Sequence, residues 1–158
     1  MEIEKKFIYN YLQHFPSLIY IISNLLSLPF HLNFFSIIVI VLYYKNIINP
    51  NEIFLLISSQ ILIIVIKYLV KRERPFIDGD IINREWMKVD YYSFPSGHTF
   101  NAFLLFYILK NNGYIQNNLL HFIPYLVGAS RVMLGVHYPS DVVVGGILAK
   151  LLINSYYS

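Results

Sequence analysis

A short polar stretch between two apolar runs carries residue types that could do nucleophilic chemistry. It contains Arg131, then His137 and, four residues later, Asp141. Gly135 favours the end of one helix and Pro139 favours the start of the next. The turn between them would carry His137, with Asp141 close enough to orient the imidazole. A cation, a histidine and an orienting carboxylate suggest nucleophilic attack on an anion, although His137 and Asp141 can also be explained as ordinary helix caps.

A second stretch, Pro95-Ser96-Gly97-His98, has the pattern of an anion-binding helix start. Ser96 can cap the helix, and Gly97 leaves the backbone open to a ligand. The free N–H groups and the helix dipole would then attract an anion, with His98 as a proton donor at the same place. An ordinary N-cap is the alternative explanation.

Two cations, Lys67 and Arg74, lie seven residues apart at the end of a third apolar run. Seven residues are about two helical turns, so the spacing predicts both cations on one helix face near its end. The alternative for these cations, and the favoured one for Lys71 and Arg72, is that they extend toward lipid headgroups.

The composition indicates an integral membrane protein. Of the 158 residues, 56% are hydrophobic and only 13% are charged, whereas soluble domains have about 25% charged residues. The chain has no cysteine, which excludes disulfides and thiolate metal sites. The net charge of +3 does not come from a polybasic tail, since the basic residues lie beside apolar segments. No nucleic-acid partner is predicted.

The apolar runs predict an all-α membrane bundle. Residues 7–44 contain no Asp, Glu, Lys or Arg and could form one long span or a compact hairpin. Pro16, Pro29 and His31 favour the hairpin. The predicted helices cover about residues 16–29, 32–44, 53–71, 117–134 and 139–154, and a further helix opens at Pro95-Ser96-Gly97-His98 and ends around Lys110. We therefore predict about six transmembrane helices, five being possible, in a single membrane-embedded domain over residues 1–158 with the site at one membrane face.

The lysines predict the orientation of this bundle. With six spans and a cytoplasmic N-terminus, one group of lysines falls on the cytoplasmic side, as the positive-inside rule expects. These lysines are Lys5, Lys6, Lys45, Lys110 and Lys150. The polar stretches then share the non-cytoplasmic face of a multi-pass protein, which we expect in the plasma membrane. With five spans the orientation inverts, but the stretches still share one face.

The three patterns together resemble the signature of the type 2 phosphatidic acid phosphatase superfamily. That superfamily also includes vanadium haloperoxidases and bacterial lipid-phosphate phosphatases. The residues that carry the resemblance are Lys67-x6-Arg74-Pro75, Pro95-Ser96-Gly97-His98 and Ser130-Arg131-x5-His137-x3-Asp141. All three motifs are intact and lie within residues 67–141.

The resemblance implies a metal-independent phosphatase that uses no cofactor and forms a phosphohistidine intermediate. His137 would be the nucleophile, Asp141 would orient its ring, and His98 would protonate the leaving oxygen. The phosphoryl oxygens would be bound by Lys67, Arg74, Ser96, Gly97 and Arg131.

Aromatic residues around the motifs favour an amphiphilic substrate. Trp86 and Tyr91 lie in the polar loop, where they suit a headgroup interface. His14, His31 and His121 are also predicted to pack at such interfaces. Candidate substrates are phosphatidic acid, phosphatidylglycerol phosphate and polyprenyl diphosphate. The predicted partners are this lipid phosphate and the bilayer, and no obligate protein partner is predicted.

Two other functions are compatible with the sequence. One is a vanadate-dependent haloperoxidase-like enzyme, which the small and apolar chain disfavours because those enzymes are typically large and soluble. The other is an inactive membrane protein that binds a lipid phosphate. The intact His98, His137 and Asp141 disfavour that second alternative.

Overall fold

The computed structural model describes residues 1–12, 14–77 and 79–158. All regular structure in these residues is helical, without strands, which confirms the all-α prediction. The α-helices are α1 (Glu2–Phe7), α2 (Ser17–Ser27), α3 (Leu32–Tyr44), α4 (Pro50–Val70), α5 (Gly97–Asn111), α6 (Ile123–Met133) and α7 (Pro139–Tyr157). A π-helical turn, Ile8–Leu12, follows α1, and 3-10 turns at Leu28–Phe30 and Asn118–Phe122 precede α3 and α6.

Local capping residues set both ends of α4. The side chain of Asn49 accepts a hydrogen bond from the Glu52 amide at 3.0 Å, and the Glu52 carboxylate accepts one from the Asn49 amide at 2.8 Å. This reciprocal capping box fixes the helix start. The helix ends just before Lys71, which adopts a left-handed conformation with φ 52°. Arg74 therefore lies in the following loop, and the prediction that it shares a helix face with Lys67 was wrong.

The helices bring the three motifs to one end of the bundle, which we call the site end (residues 67–74, 96–98 and 131–141). The C-terminal ends of α4 and α6 meet there with the N-terminal ends of α5 and α7. At the opposite end (residues 44–52, 111–113 and 157), the fully buried Glu52 accepts hydrogen bonds from Asn112 Nδ2 at 2.9 Å and from the Tyr157 hydroxyl at 2.6 Å. One carboxylate thus joins α4, α5 and α7.

An apolar core lies between these two ends and sets the helix spacing. Leu56 of α4, Leu104 of α5 and Ala149 of α7 are buried in one cluster. Near the site end, α7 passes very close to the start of α5 at Gly145. A Cβ atom at this position would lie 2.7 Å from the carbonyl oxygen of Ser96. Glycine is therefore needed for α7 to approach the second motif.

Apolar side chains also cover much of the outer surface, as expected for lipid-facing helices. Phe54, Ile57 and Ile61 on α4 are all more than half exposed. In the described part of the chain, α4 is long and apolar enough to cross a membrane alone, with a mean hydropathy of 2.4. The bent pair Ser17–Phe30 and Leu32–Tyr44 meets the same criteria when its two helices are taken together.

The first apolar stretch departs from the predicted hairpin. The axes of Ser17–Phe30 and Leu32–Tyr44 differ by a bend of 52°. Because the bend is well short of a reversal, α3 continues away from α2 instead of folding back along it. The break occurs at the 3-10 turn containing Pro29, whose ring prevents a regular helical hydrogen bond.

The N-terminal segment also lies elsewhere than predicted. No helix was expected before residue 16, yet α1 packs at the site end, where Glu4 Oε1 accepts a hydrogen bond from the Ser140 amide at 2.8 Å. Ile8 is fully buried in a cluster with Val132 and Tyr138, which holds the segment there. The N-terminus and the motifs therefore share one end, and their separation in the six-span arrangement was wrong.

Single-cysteine variants test this topology, because the chain contains no other cysteine. Lys6 and Lys88 at the site end and Lys45 at the opposite end are all exposed. We expect Lys6→Cys and Lys88→Cys to react with a membrane-impermeant thiol reagent from one side of the membrane, and Lys45→Cys from the other. Labelling in sealed vesicles of both orientations, with the parent chain as control, measures this. Labelling of Lys6→Cys and Lys88→Cys from opposite sides would contradict the position of α1.

Candidate active site

The turn between α6 and α7 holds His137 as the sequence predicts. Gly135 has a φ of 75°, which ends the preceding helix, and α7 begins at Pro139. Nδ1 of His137 lies 3.4 Å from Oδ2 of Asp141, close enough for an ion pair but without hydrogen-bond geometry. Asp141 therefore faces the imidazole ring from the first turn of α7.

Arg74 lies on the other side of the imidazole. Its Nη1 is 3.3 Å from Nε2 of His137 and donates a hydrogen bond to the Val136 carbonyl at 2.7 Å. A guanidinium can only donate, so Nε2 must be the acceptor nitrogen of the ring. Burial, followed by the charges of Arg74 and Lys67, lowers the pKa of His137 well below its ordinary value. The ring is thus kept neutral, with a lone pair on Nε2.

The predicted anion-binding cations are paired with carboxylates from the loop between α4 and α5. Asp90 bridges two of them: its Oδ2 lies 3.1 Å from Nζ of Lys67, and its Oδ1 pairs with Nη2 of Arg74. Glu85 pairs with Nη1 of Arg131. Asp90 thus brings Lys67 and Arg74 together although they do not share a helix.

Arg131 has further donors beyond this ion pair. It is fully buried, and its Nε and Nη2 atoms have no hydrogen-bond partner among the described residues. A buried polar group without a partner is unfavourable by about 1–3 kcal/mol. Since Arg131 lines the same cavity as His137, an anion with several oxygens in that cavity would satisfy these donors.

The start of α5 divides the second motif into a cap and a cavity wall. Ser96 is the N-cap: its Oγ accepts a hydrogen bond from the Thr99 amide at 3.4 Å and lies 2.9 Å from Thr99 Oγ1. The Ser96 amide donates a hydrogen bond to the Asp141 carbonyl at 3.0 Å. Gly97 and His98 line the cavity, and fully buried Ser96 does not. The amides of the first helical turn lack intrahelical acceptors, so Gly97 and His98 can offer them to an anion.

A cavity of about 250 Å³ collects the predicted site residues. Its polar wall contains Lys67, Arg74, Gly97, His98, Arg131 and His137. Along α3 and α4 it is lined by the apolar Leu32, Ile63 and Ile64 and by the polar Asn33 and Gln60. The cavity therefore joins a positively charged region to a partly apolar one.

The cavity contains one histidine that the sequence pattern assigned to interfacial packing. The ring centroid of His31 lies 5.8 Å from that of His98, and its Nε2 lies 3.4 Å from the Lys88 carbonyl oxygen. Its position at the helix break before α3 was the only sequence signal, and that signal does not identify a neighbour so distant in the chain.

Arg72 is a second residue whose position was predicted wrongly. Instead of extending toward headgroups, its Nη1 donates a hydrogen bond to Oδ1 of Asp141 at 2.7 Å. Lys71, by contrast, is exposed. No local pattern distinguishes these adjacent cations, because the partner of Arg72 lies 69 residues further along the chain.

Known proteins resemble this chain in sequence and in fold. The family model of the PAP2 superfamily matches residues 52–158, which is more than half of the chain. The chain belongs to the PAP2 superfamily. The matched region contains all three motifs. The bacitracin transport permease protein BcrC of Bacillus licheniformis is 41% identical over 63 residues, a match that covers 37% of this chain and 29% of that protein.

Two solved structures share the PAP2 fold seen here. The first transmembrane PAP2 type phosphatidylglycerolphosphate phosphatase from Bacillus subtilis superposes with a TM-score of 0.74 at 21% identity, over 96% of this chain and 81% of that one. LpxE of Aquifex aeolicus gives a TM-score of 0.77 at 23% identity, over 98% and 93% of the two chains. The helical arrangement therefore extends beyond the region that the family model matches.

Replacing Asp90 should strengthen anion binding in this PAP2 site. In Asp90→Asn, Lys67 and Arg74 lose a charged partner and become available to a tetrahedral anion. We expect inorganic phosphate to bind about tenfold more tightly, a change of roughly 1.4 kcal/mol. Isothermal titration at fixed ionic strength measures the Kd, with Asp80→Asn, an exposed carboxylate of the same loop, as the matched control. If phosphate bound Asp90→Asn no more tightly than the parent protein, the idea that the Asp90 carboxylate competes with an anion for Lys67 and Arg74 would be contradicted.

Proposed function

We propose that this protein is an integral-membrane, metal-independent phosphatase that hydrolyses a lipid phosphate or lipid diphosphate through a phosphohistidine intermediate. The observation that carries the proposal is the neutral, buried His137, held between Asp141 and Arg74 in a cavity lined by cations. Phosphoryl transfer depends mainly on positioning and charge stabilisation. Fixed guanidinium and ammonium groups can supply both.

The first chemical step is attack on phosphorus by Nε2 of His137. The bond between phosphorus and the leaving oxygen breaks, and His98 gives its proton to that oxygen. The phosphorylated ring becomes an imidazolium, which the carboxylate of Asp141 beside Nδ1 stabilises. The phosphoryl oxygens are held by Lys67, Arg74, Arg131 and the amide of Gly97, while Ser96 fixes the start of α5.

The second step returns the protein to its starting state. Water attacks the phosphohistidine and gives a proton to His98, which now acts as the base. The bond between phosphorus and Nε2 of His137 breaks, and inorganic phosphate leaves. Before a further cycle, Asp90 can pair again with the cations that the phosphate occupied.

The shape of the cavity supports an amphiphilic substrate. A phosphate group would lie among the cations, and an acyl or prenyl chain would extend along Leu32, Ile63 and Ile64 toward the lipid-facing surface. We therefore propose a substrate of the phosphatidic acid, phosphatidylglycerol phosphate or polyprenyl diphosphate type. The B. subtilis structure is by its name a phosphatidylglycerolphosphate phosphatase, which supports the lipid class for this chain.

For the membrane arrangement we propose five passes: the bent α2–α3 segment, α4, α5, α6 and α7. The N-terminus then lies on the same side as the site, because α1 packs at the site end. We propose a plasma-membrane location with the site on the non-cytoplasmic face. Lys45 and Lys110, at or beside the opposite end, support a cytoplasmic location for that end, whereas Lys5 and Lys6 now lie at the site end.

Phosphate release from a lipid panel tests the proposed activity. Purified protein in detergent, with EDTA present, should release phosphate from at least one of the three lipid classes. His137→Ala should reduce that release by at least about a thousandfold, since it removes the nucleophile. His14→Ala, the same change at an exposed histidine, should have no effect. No release from any lipid by folded protein would favour an inactive lipid-phosphate-binding protein, and release that requires added metal would contradict the mechanism.

The pH dependence of kcat and of kcat/KM tests whether His98 is the general acid. In the free protein His98 shares its cavity with Lys67, Arg74 and Arg131, which oppose its protonation, and bound phosphate offsets them. Activity should therefore fall above neutral pH, and the basic limb of kcat should lie at higher pH than that of kcat/KM. His98→Gln should lose the basic limb. A flat profile between about pH 6 and 9 would contradict this role.

A further inference from the structure

Arg72 is not a motif residue, yet its guanidinium contacts the carboxylate beside the nucleophile. Nη1 of Arg72 donates to Oδ1 of Asp141 at 2.7 Å and to Oγ of Ser140 at 2.6 Å. The Asp141 side chain is fully buried, and that of Arg72 is 16% exposed. The guanidinium carbon lies 4.0 Å from the centroid of the Tyr138 ring, which shields one of its faces. The contact is therefore a largely buried ion pair.

Glu4 of α1 holds Arg72 from the other side. Its Oε2 accepts a hydrogen bond from Nη2 of Arg72 at 2.7 Å, and its Oε1 accepts one from the Ser140 amide at 2.8 Å. Both oxygens of this carboxylate are thus used, one on the guanidinium and one on the first turn of α7. Glu4 links the N-terminal helix to the helix start that carries Asp141.

The two oxygens of Asp141 have separate tasks. Oδ2 accepts from the Tyr138 amide at 2.9 Å and faces Nδ1 of His137 at 3.4 Å, while Oδ1 takes the bond from Arg72. A buried carboxylate without a cation tends to take up a proton or to turn toward another donor. Either change would leave Nδ1 of His137 without the negative charge that stabilises the phosphorylated ring.

We propose that Arg72 and Glu4 are positioning residues for the pair His137–Asp141, so that α1 completes the active site. The proposal rests on the proposed function, because it concerns the same phosphohistidine step. Neither side chain lines the cavity. Their effect on the reaction therefore passes through Asp141, and substrate binding should be largely independent of them.

The charge of Arg72 gives a signature that a purely structural role would lack. Among the described residues, the charged or titratable side chains around Asp141 are Arg72, Arg74, Lys67, His137, Tyr138 and Glu4. Of these, Arg72 donates directly to the carboxylate. Without that charge, Asp141 takes up a proton at higher pH, and activity is lost earlier as the pH falls.

The experiment compares kcat and KM across pH for a set of variants in detergent. Arg72→Gln should lower kcat by roughly tenfold or more, the size of effect seen when a hydrogen-bond partner that orients a metal-bound histidine is removed. KM should change by no more than about twofold. The acid limb of the kcat–pH profile, where activity falls as the pH is lowered, should move to higher pH by about one unit. Arg72→Lys should restore part of kcat and the original acid limb. Glu4→Gln should lower kcat in the same direction as Arg72→Gln but less, because it keeps the cation and removes only the carboxylate that holds it.

Lys71→Gln is the matched control, because Lys71 is the adjacent cation and is exposed; it should leave both kinetic constants unchanged. The proposal would be overturned if the acid limb of the kcat–pH profile stayed in place in Arg72→Gln. It would also be overturned if Arg72→Gln lost kcat and Arg72→Lys did not restore any of it. If Arg72→Gln fails to fold, Arg72→Lys and Glu4→Gln decide: wild-type kinetics in Glu4→Gln would remove α1 from the site. Absence of phosphate release by the parent protein would instead refute the proposed function.

Discussion

The structure depends on the concentration of positive charge at one end of an apolar helical bundle. Lys67, Arg74 and Arg131 are all buried around a single cavity. Buried cations repel one another and lose hydration, so they are stable only with anions close by. In the protein itself Asp90 and Glu85 supply those anions. The loop between α4 and α5 is therefore held by charges that a phosphate group would also satisfy. In the proposed function, substrate binding would exchange one anion for another.

The rest of the fold keeps the helix ends in register around that charge. At the opposite end, Glu52 joins α4, α5 and α7 through hydrogen bonds, and the apolar core between the ends sets the helix spacing. Gly145 lets α7 approach the start of α5. The backbone amide of Ser96 then bonds the Asp141 carbonyl at 3.0 Å, which links the second motif directly to the third. Small errors in helix packing would therefore separate the proposed acid from the proposed nucleophile.

Local residue patterns predicted the parts of the site that depend on local chemistry. The turn carrying His137 follows from Gly135 and Pro139, and the cap at Ser96 follows from its hydroxyl. The parts that failed depend on contacts distant in sequence. Arg72 pairs with a carboxylate 69 residues away, and α1 is held by an ion pair and a buried isoleucine, neither of which has a periodic signature. The hairpin prediction failed because proline breaks a helix without specifying the angle that follows.

In the proposed mechanism His137 itself carries the phosphoryl group during turnover. Rapid mixing of the protein with a lipid substrate labelled at phosphorus, followed by an alkaline quench and peptide mapping, tests it directly. We expect a transient label that is stable in alkali, is lost in acid and maps to His137. The label should appear before free phosphate and be absent from His137→Ala. Phosphate release without any labelled protein, or a label on a different residue, would contradict the phosphohistidine mechanism.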